Sequence, residues 1–273
     1  MSSFTQNYNI KHYIVQDGLL HAFVNDIIQD SRGNIWIATG GGLCKFNGVE
    51  FKSYTTKNGL NFPRLLCLAE DNFNNIWIGT SVGLNVFDGD SVYGVLDDQI
   101  KENILALEKS LDGQIWVSSD KGVKKVQFRD GEFYSEKLQY DFGKIEETNI
   151  FQDRNWNSFL IETNQHQLFI GLNNSIYIYH NDKVDKIEID KSLQVYSACK
   201  LANNKIVFGT NNGLYSFQNN KIKRIKNDRL EGFKVFKIKR KEDKLWMIGK
   251  WGNEETDELF LVCINLNDKN YYK

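Results

Sequence analysis

The residues of this 273-residue chain that could do chemistry are four histidines, four cysteines and a scatter of carboxylates. His12, His21, His166 and His180 never approach a metal-ligand spacing such as HExxH. Cys44, Cys67, Cys199 and Cys263 are dispersed, each among apolar neighbours, with no CxxC pair. That spacing fits buried free thiols and excludes zinc ribbons and thioredoxin chemistry. No serine sits in a GxSxG elbow. Asp88-Gly89-Asp90 and the Asp71 to Asn75 stretch resemble calcium loops but lack the closing bidentate glutamate. The pairs Asp97-Asp98 and Glu254-Glu255 fall in polar connections and read as solvated. These observations predict no catalytic residue, no metal and no cofactor.

What organises the chain is a repeat. Trp36, Trp77 and Trp116 stand in similar segments 41 and 39 residues apart, and weaker copies centre on Phe169, Val207 and Trp246. A period near forty residues marks a repeat architecture. Each unit reads as short strands. Val24 to Ile28 is apolar and ends in the turn cluster Asp30-Ser31-Arg32-Gly33-Asn34. Ile35-Trp36-Ile37 is a buried strand, and the glycines at 40 to 42 make a second turn. Leu43 to Phe46 is a third strand, Asn47-Gly48 a type I′ hairpin signal, and Val49 to Tyr54 a fourth strand. Apolar residues at helical spacing are missing, so the fold class expected is all-β, a β-propeller of six four-stranded blades. The repeated Trp36, Trp77 and Trp116 are expected to pack between blades.

The segment Ile10 to Tyr13 followed by Asp17-Gly18-Leu19 copies Phe51 to Tyr54 followed by Asn58-Gly59-Leu60. It is in phase with the repeats. The sixth unit supplies only three clear strands, so residues 10–15 are expected to close the last blade and cover its edge. One propeller domain over residues 1–273 follows; the alternative is a fragment of a longer multi-propeller array. Residues 135–154, acidic with interspersed aromatics, read either as an insertion at one rim or as an extended outer hairpin.

Composition is that of a globular chain, 41% apolar and 25% charged, with net charge −1. No nucleic-acid footprint is expected. The basic stretches at 221–226 and 234–241 alternate with apolar residues and read as strands with one wet face. No apolar run is long enough to span a bilayer, so no membrane insertion by this chain is expected. The first residues lack the regions of a signal peptide.

Positions thirteen residues before each repeat centre are Phe23, Arg64, Asn103, Trp156, Gln194 and Phe233. If the first strand of each blade is innermost, they stand where the chain enters it, at one mouth of a central channel. Aromatic faces mixed with hydrogen-bonding groups suit a saccharide. The plainer reading is that some of them cap the blade core. Phe62, His21 and Trp251 are secondary candidates on nearby connections.

The stretch Asn25 to Leu60 resembles the two-component regulator propeller repeat. The marks are Asp30-x-x-Gly33-Asn34-Ile35-Trp36-Ile37, Gly42-Leu43, Phe46-Asn47-Gly48 and Tyr54-Thr55 running to Asn58-Gly59-Leu60. The resemblance is strong over about the first 130 residues. It implies the periplasmic or otherwise extracytoplasmic sensor part of a bacterial hybrid regulator, non-catalytic, with a small oligosaccharide, another small molecule or a protein as partner, and with a homodimer as an allowed state. It would also imply a further propeller, a membrane span and a kinase, none of them in this sequence. Two alternatives remain: a protein-interaction scaffold, or a lyase resembling virginiamycin B lyase, whose chemistry needs a metal and a histidine base.

Overall fold

The computed structural model describes residues 11–95, 102–129, 132–143, 158–172, 174–218, 220–227, 230–252 and 259–266. The fold is all-β, of the six-bladed β-propeller class, and helix among these residues is confined to short 3-10 turns. Sheet 1 is built from β1 (Val24–Gln29), β2 (Ile35–Thr39), β3 (Gly42–Phe46) and β4 (Phe51–Tyr54). Sheet 2 holds β5 (Leu65–Glu70), β6 (Ile76–Thr80), β7 (Gly83–Phe87) and β8 (Val92–Gly94). Sheet 3 holds β9 (Ile104–Lys109), β10 (Ile115–Ser119), β11 (Gly122–Arg129) and β12 (Glu132–Lys137). Sheet 4 holds β13 (Phe159–Glu162), β14 (Leu168–Leu172), β15 (Ser175–His180) and β16 (Lys183–Ile187). Sheet 5 holds β17 (Val195–Lys200), β18 (Ile206–Thr210), β19 (Gly213–Gln218) and β20 (Lys221–Arg224). Sheet 6 holds β21 (Phe233–Lys241), β22 (Lys244–Trp251) and β23 (Phe260–Asn265). Every sheet is an antiparallel meander in chain order.

These sheets fall into two compact units, one built on sheets 1 and 2, the other on sheets 3 to 6 together with Asp71–Phe73. In the first unit Trp36, Ala38 and Leu43 of sheet 1 share a core with Leu65, Leu68, Ile76 and Ile78 of sheet 2. In the second unit Trp116 and Val123 of sheet 3 meet Leu160, Leu168 and Ile170 of sheet 4. Trp36, Trp77 and Trp116 are all buried, as expected for residues packed between sheets. Burying such a side chain removes 150–250 Å² of mostly apolar surface from water.

Two local devices recur. The last residue of the second strand is Thr39, Thr80, Ser119 or Thr210, each fully buried. Its hydroxyl donates to the carbonyl of Gly42, Gly83, Gly122 or Gly213, and accepts the N–H two residues on. The tight second turn is thus pinned without exposing the hydroxyl, which explains why a small β-branched or hydroxyl residue stands there. The other device follows the outer strand. Thr56–Asn58 forms a 3-10 turn closed by Gly59 at φ +103°, and Val15–Asp17 forms another closed by Gly18 at φ +112°. Asn58 accepts the Thr55 N–H and Asp17 accepts the Ile14 N–H in the same way. The in-phase duplication read from the sequence is a real structural repeat at these turns.

Sheet 6 has three strands among the described residues, the three that its repeat supplies in the sequence. Other expectations are corrected. Of the closing segment at residues 10–15, Ile10 lies outside the described residues and 11–14 form no strand. Tyr13 instead packs on Phe46 and Phe51 of sheet 1, at centroid separations of 5.1 and 5.5 Å. The Asn47-Gly48 turn is not type I′, because positive φ is confined there to Gly48. Asn47 accepts the N–H groups of Val49 and Glu50 instead, an Asx turn. Consecutive positive φ values occur at Asn181 and Asp182, between β15 and β16. Of residues 135–154, the first three belong to β12, an outer hairpin strand, and Leu138 and Phe142 are buried in the core shared by sheets 3 and 4. Residues 144–154 lie outside the described residues.

Candidate functional site

Three of the candidate positions share a backbone role at the start of their first strands. The residue after the second strand donates its N–H to them: Gly40 to Phe23 O, Asp120 to Asn103 O and Asn211 to Gln194 O, at 3.0 to 3.1 Å. In sheets 3 and 5 the Asp120 and Asn211 side chains also accept the N–H of Asn103 and Gln194, each at 3.0 Å. A break in register follows near the start of the first strand in sheets 1, 2, 3, 5 and 6. A bulge of this kind bends the strand and re-aims the side chains beside it.

The side chains diverge from that common frame. Phe23 is 72% exposed, although it is a large apolar group. Its ring stacks on His21 at 5.3 Å and 27° between planes, and its N–H donates to His21 Nδ1 at 3.0 Å. The imidazole lies against the backbone of Gly40 and Gly41, where a Cβ on Gly40 would come within 3.0 Å of Nδ1. His21, a secondary candidate, is therefore the support of a primary one. Arg64 and Phe62 are half-buried beside β5. Asn103 is half-buried, with its Oδ1 enclosed and unpartnered among the described residues. Gln194 is exposed and accepts the Tyr196 hydroxyl at 2.7 Å. Phe233 is fully buried as the first residue of β21, with Trp251 at 4.5 Å. It presents no face to solvent, in line with the plainer core-capping reading. Trp156, Asp97-Asp98 and Glu254-Glu255 lie outside the described residues.

The opposite end of the sheets carries the turn chemistry of the repeat and explains the Asp-x-x-Gly-Asn-Ile-Trp spacing. Asp30 Oδ1 accepts the N–H groups of Arg32 and Asn34, and Oδ2 accepts Asn34 Nδ2 and Trp36 Nε1, the last at 2.8 Å. Burial works to raise the Asp30 pKa, but these four bonds outweigh it and hold the carboxyl below its usual range. Unit 3 has Ser110 where unit 1 has Asp30, and a hydroxyl there does not take the indole. Glu162 of sheet 4 does so instead, with Oε2 accepting Trp116 Nε1 at 3.1 Å and the Leu111 N–H at 2.9 Å. Glu70 of sheet 2 grips the turn of sheet 1 similarly, accepting the Ser31 N–H and hydroxyl. Lys200 of sheet 5 donates to Glu162 O at 2.6 Å.

Sequence reasoning missed this clamp, and it missed Glu108. The column opposite the repeat centres holds Ile28, Ala69, Ile161, Cys199 and Lys239, and Glu108 faces Trp116. A carboxylate in a mostly apolar column was the available signal. Burial pushes the Glu108 pKa up to about 7, partly opposed by Lys200. Cys44, Cys67 and Cys199 are buried free thiols and Cys263 is half-buried. Among the described residues no group of three or more His, Cys, Asp or Glu is placed to hold a metal ion, and no helix is long and apolar enough to cross a membrane.

Comparison with known proteins places this geometry. No curated protein sequence matches the chain. Among solved structures, the extracellular domain of BT3049 from B. thetaiotaomicron, named as a hybrid two component system, is similar with TM-score 0.69 and 21% identity. The match covers 96% of this chain and 37% of that one. PorZ of Porphyromonas gingivalis, a surface component of the type-IX secretion system, is similar with TM-score 0.66 and 12% identity, over 92% of this chain and 41% of that one. Virginiamycin B lyase from Staphylococcus aureus is similar with TM-score 0.63 and 14% identity, over 91% and 86%. The chain spans about two-fifths of the length of the first two-component structures it matches. In sequence, the family described as "Two component regulator propeller" matches residues 18–41 and 59–82. Residues 18–41 and 59–82, which include β1, β2, β5 and β6 of sheets 1 and 2, are therefore what resembles the two component regulator propeller family.

Proposed function

We propose that this chain is a non-catalytic, extracytoplasmic ligand-sensing propeller of a two-component-type regulator, and that the end of sheet 1 where β1 begins receives the ligand. The family of the repeats and the extracellular two-component domains among its structural relatives support the sensing role. The observation that carries the site is the Phe23–His21 pair. An aromatic side chain 72% exposed, yet held by a stacked imidazole and a hydrogen bond, is organised before any ligand arrives. Holding it so costs little further entropy on binding. A saccharide suits it, because sugar C–H faces stack on rings while hydroxyls take polar partners such as Arg64. A protein segment anchored on Phe23 is the alternative, in which case the chain acts as an interaction scaffold.

The test is titration of the full chain with an oligosaccharide panel, followed by thermal shift and calorimetry. Specific binding raises stability by mass action. Phe23→Ala is expected to lower the affinity of any hit at least tenfold while leaving the fold intact. Binding unaffected by Phe23→Ala and by Arg64→Ala would move the site elsewhere.

A further inference from the structure

We propose that Glu108 is a proton-operated latch in the seam between sheets 3 and 4, its charge setting how firmly Glu162 holds Trp116 and Leu111. Glu108 of β9 stands opposite Trp116 in the ladder, and β9 lies beside β13 within the same unit. The Glu162 N–H donates to the Glu108 carboxyl, so the two acidic residues meet through backbone as well as charge. Glu162 itself is buried, with Oε2 committed to Trp116 Nε1 and the Leu111 N–H. Lys200 of β17 donates to Glu162 O and lies 3.5 Å from Asn164 Oδ1. Lys239 of β21 adds a second positive charge acting on Glu108.

Several other charged groups border the seam. His166 Nδ1 lies 3.6 Å from Glu162 Oε1. Lys125 sits over the Trp116 ring at 4.8 Å and pairs with Asp112. Lys109 follows Glu108 on β9, and Arg240 of β21 acts on the Cys199 thiol.

A neutral Glu108 accepts the Glu162 N–H without repelling its carboxylate. Loss of the proton leaves a charge in a seam where burial disfavours it, and the Glu162 carboxylate adds a smaller repulsion. The ionised group also competes for Lys200, drawing it from the Glu162 carbonyl. The seam is therefore tighter when Glu108 is protonated. Burial outweighs the two lysines and brings this titration to about 7.

The test is NMR of the full chain across roughly pH 5 to pH 9, following the Trp116 indole N–H and the Leu111 amide. His166 borders Glu162, so His166→Gln is measured beside Glu108→Gln. Both signals should follow one titration near pH 7 in the parent chain and in His166→Gln, and lose it in Glu108→Gln. Absence of the titration in the parent, its survival in Glu108→Gln, or its loss in His166→Gln would each overturn the proposal.

Discussion

Replacing Asp30 by Ala tests why the first turn of the repeat carries an aspartate six residues before a tryptophan. Asp30 accepts four hydrogen bonds, and Trp36 is almost wholly enclosed, so its indole N–H has no water to turn to. An orphaned buried donor costs about 1–3 kcal/mol, and the Arg32 and Asn34 amides, nearer to solvent, add roughly 0.5–1 kcal/mol each. The expected loss for Asp30→Ala is therefore about 3 kcal/mol. Trp36→Phe also destabilises, through lost volume and the lost bond. The two losses must not add, because Trp36→Phe in the Asp30→Ala background removes a donor that has already lost its acceptor. A double-mutant cycle by urea denaturation, read by circular dichroism, should give a coupling of about 1.5–3 kcal/mol, as for a hydrogen bond to a charged acceptor. The sign with pH is fixed as well. The Asp30 pKa is held below its unfolded value, so its contribution is present above about pH 4 and is lost as pH falls through the folded pKa. Asp30→Asn should accordingly flatten the acid limb of the stability curve. A coupling below about 0.5 kcal/mol would refute the reasoning and return the motif to turn propensity alone.

Other expectations are briefer. The Glu108 pKa is raised from 4.5 to about 7, so the folded state loses stability as pH climbs through that interval. Glu108→Gln should track the parent near pH 5 and gain up to about 3 kcal/mol near pH 8.5; parallel curves would contradict it. Phe233→Ala should cost about 3–5 kcal/mol by opening a cavity, whereas Phe23→Ala should stay within about 0.5 kcal/mol; chemical denaturation of both variants decides this. Glu162→Ala should cost about 3–5 kcal/mol, since it leaves the Trp116 indole and the Leu111 amide without acceptors, and Trp116→Phe in that background should cost markedly less than alone. Native-state alkylation at pH 8 should spare Cys199, whose thiol is pushed up to about 12 by burial, and modification at the rate of a free thiol would refute it.

The sequence by itself determined the repeat, the strand order inside each sheet and the buried tryptophans. Those follow from local rules: turn residues recur at fixed offsets, and a tryptophan in a short apolar run such as Ile35-Trp36-Ile37 has to be covered. The Asp30 motif was legible too, because its bonds close within seven residues. Tertiary structure alone decided which of six equivalent positions face solvent. Phe23 and Phe233 share a repeat offset and a residue type, yet one is exposed and the other enclosed, because Phe233 lies in the core that sheets 5 and 6 share, whereas Phe23 stacks on His21 with most of its surface exposed. It alone also decided that Glu162 supplies the acceptor missing at Ser110, since the two stand 52 positions apart in the chain and meet only when sheets 3 and 4 stack. A repeat fixes what a residue's backbone does, whereas burial and charge depend on which neighbouring sheet covers it, and that neighbour lies about forty residues or more away in the chain.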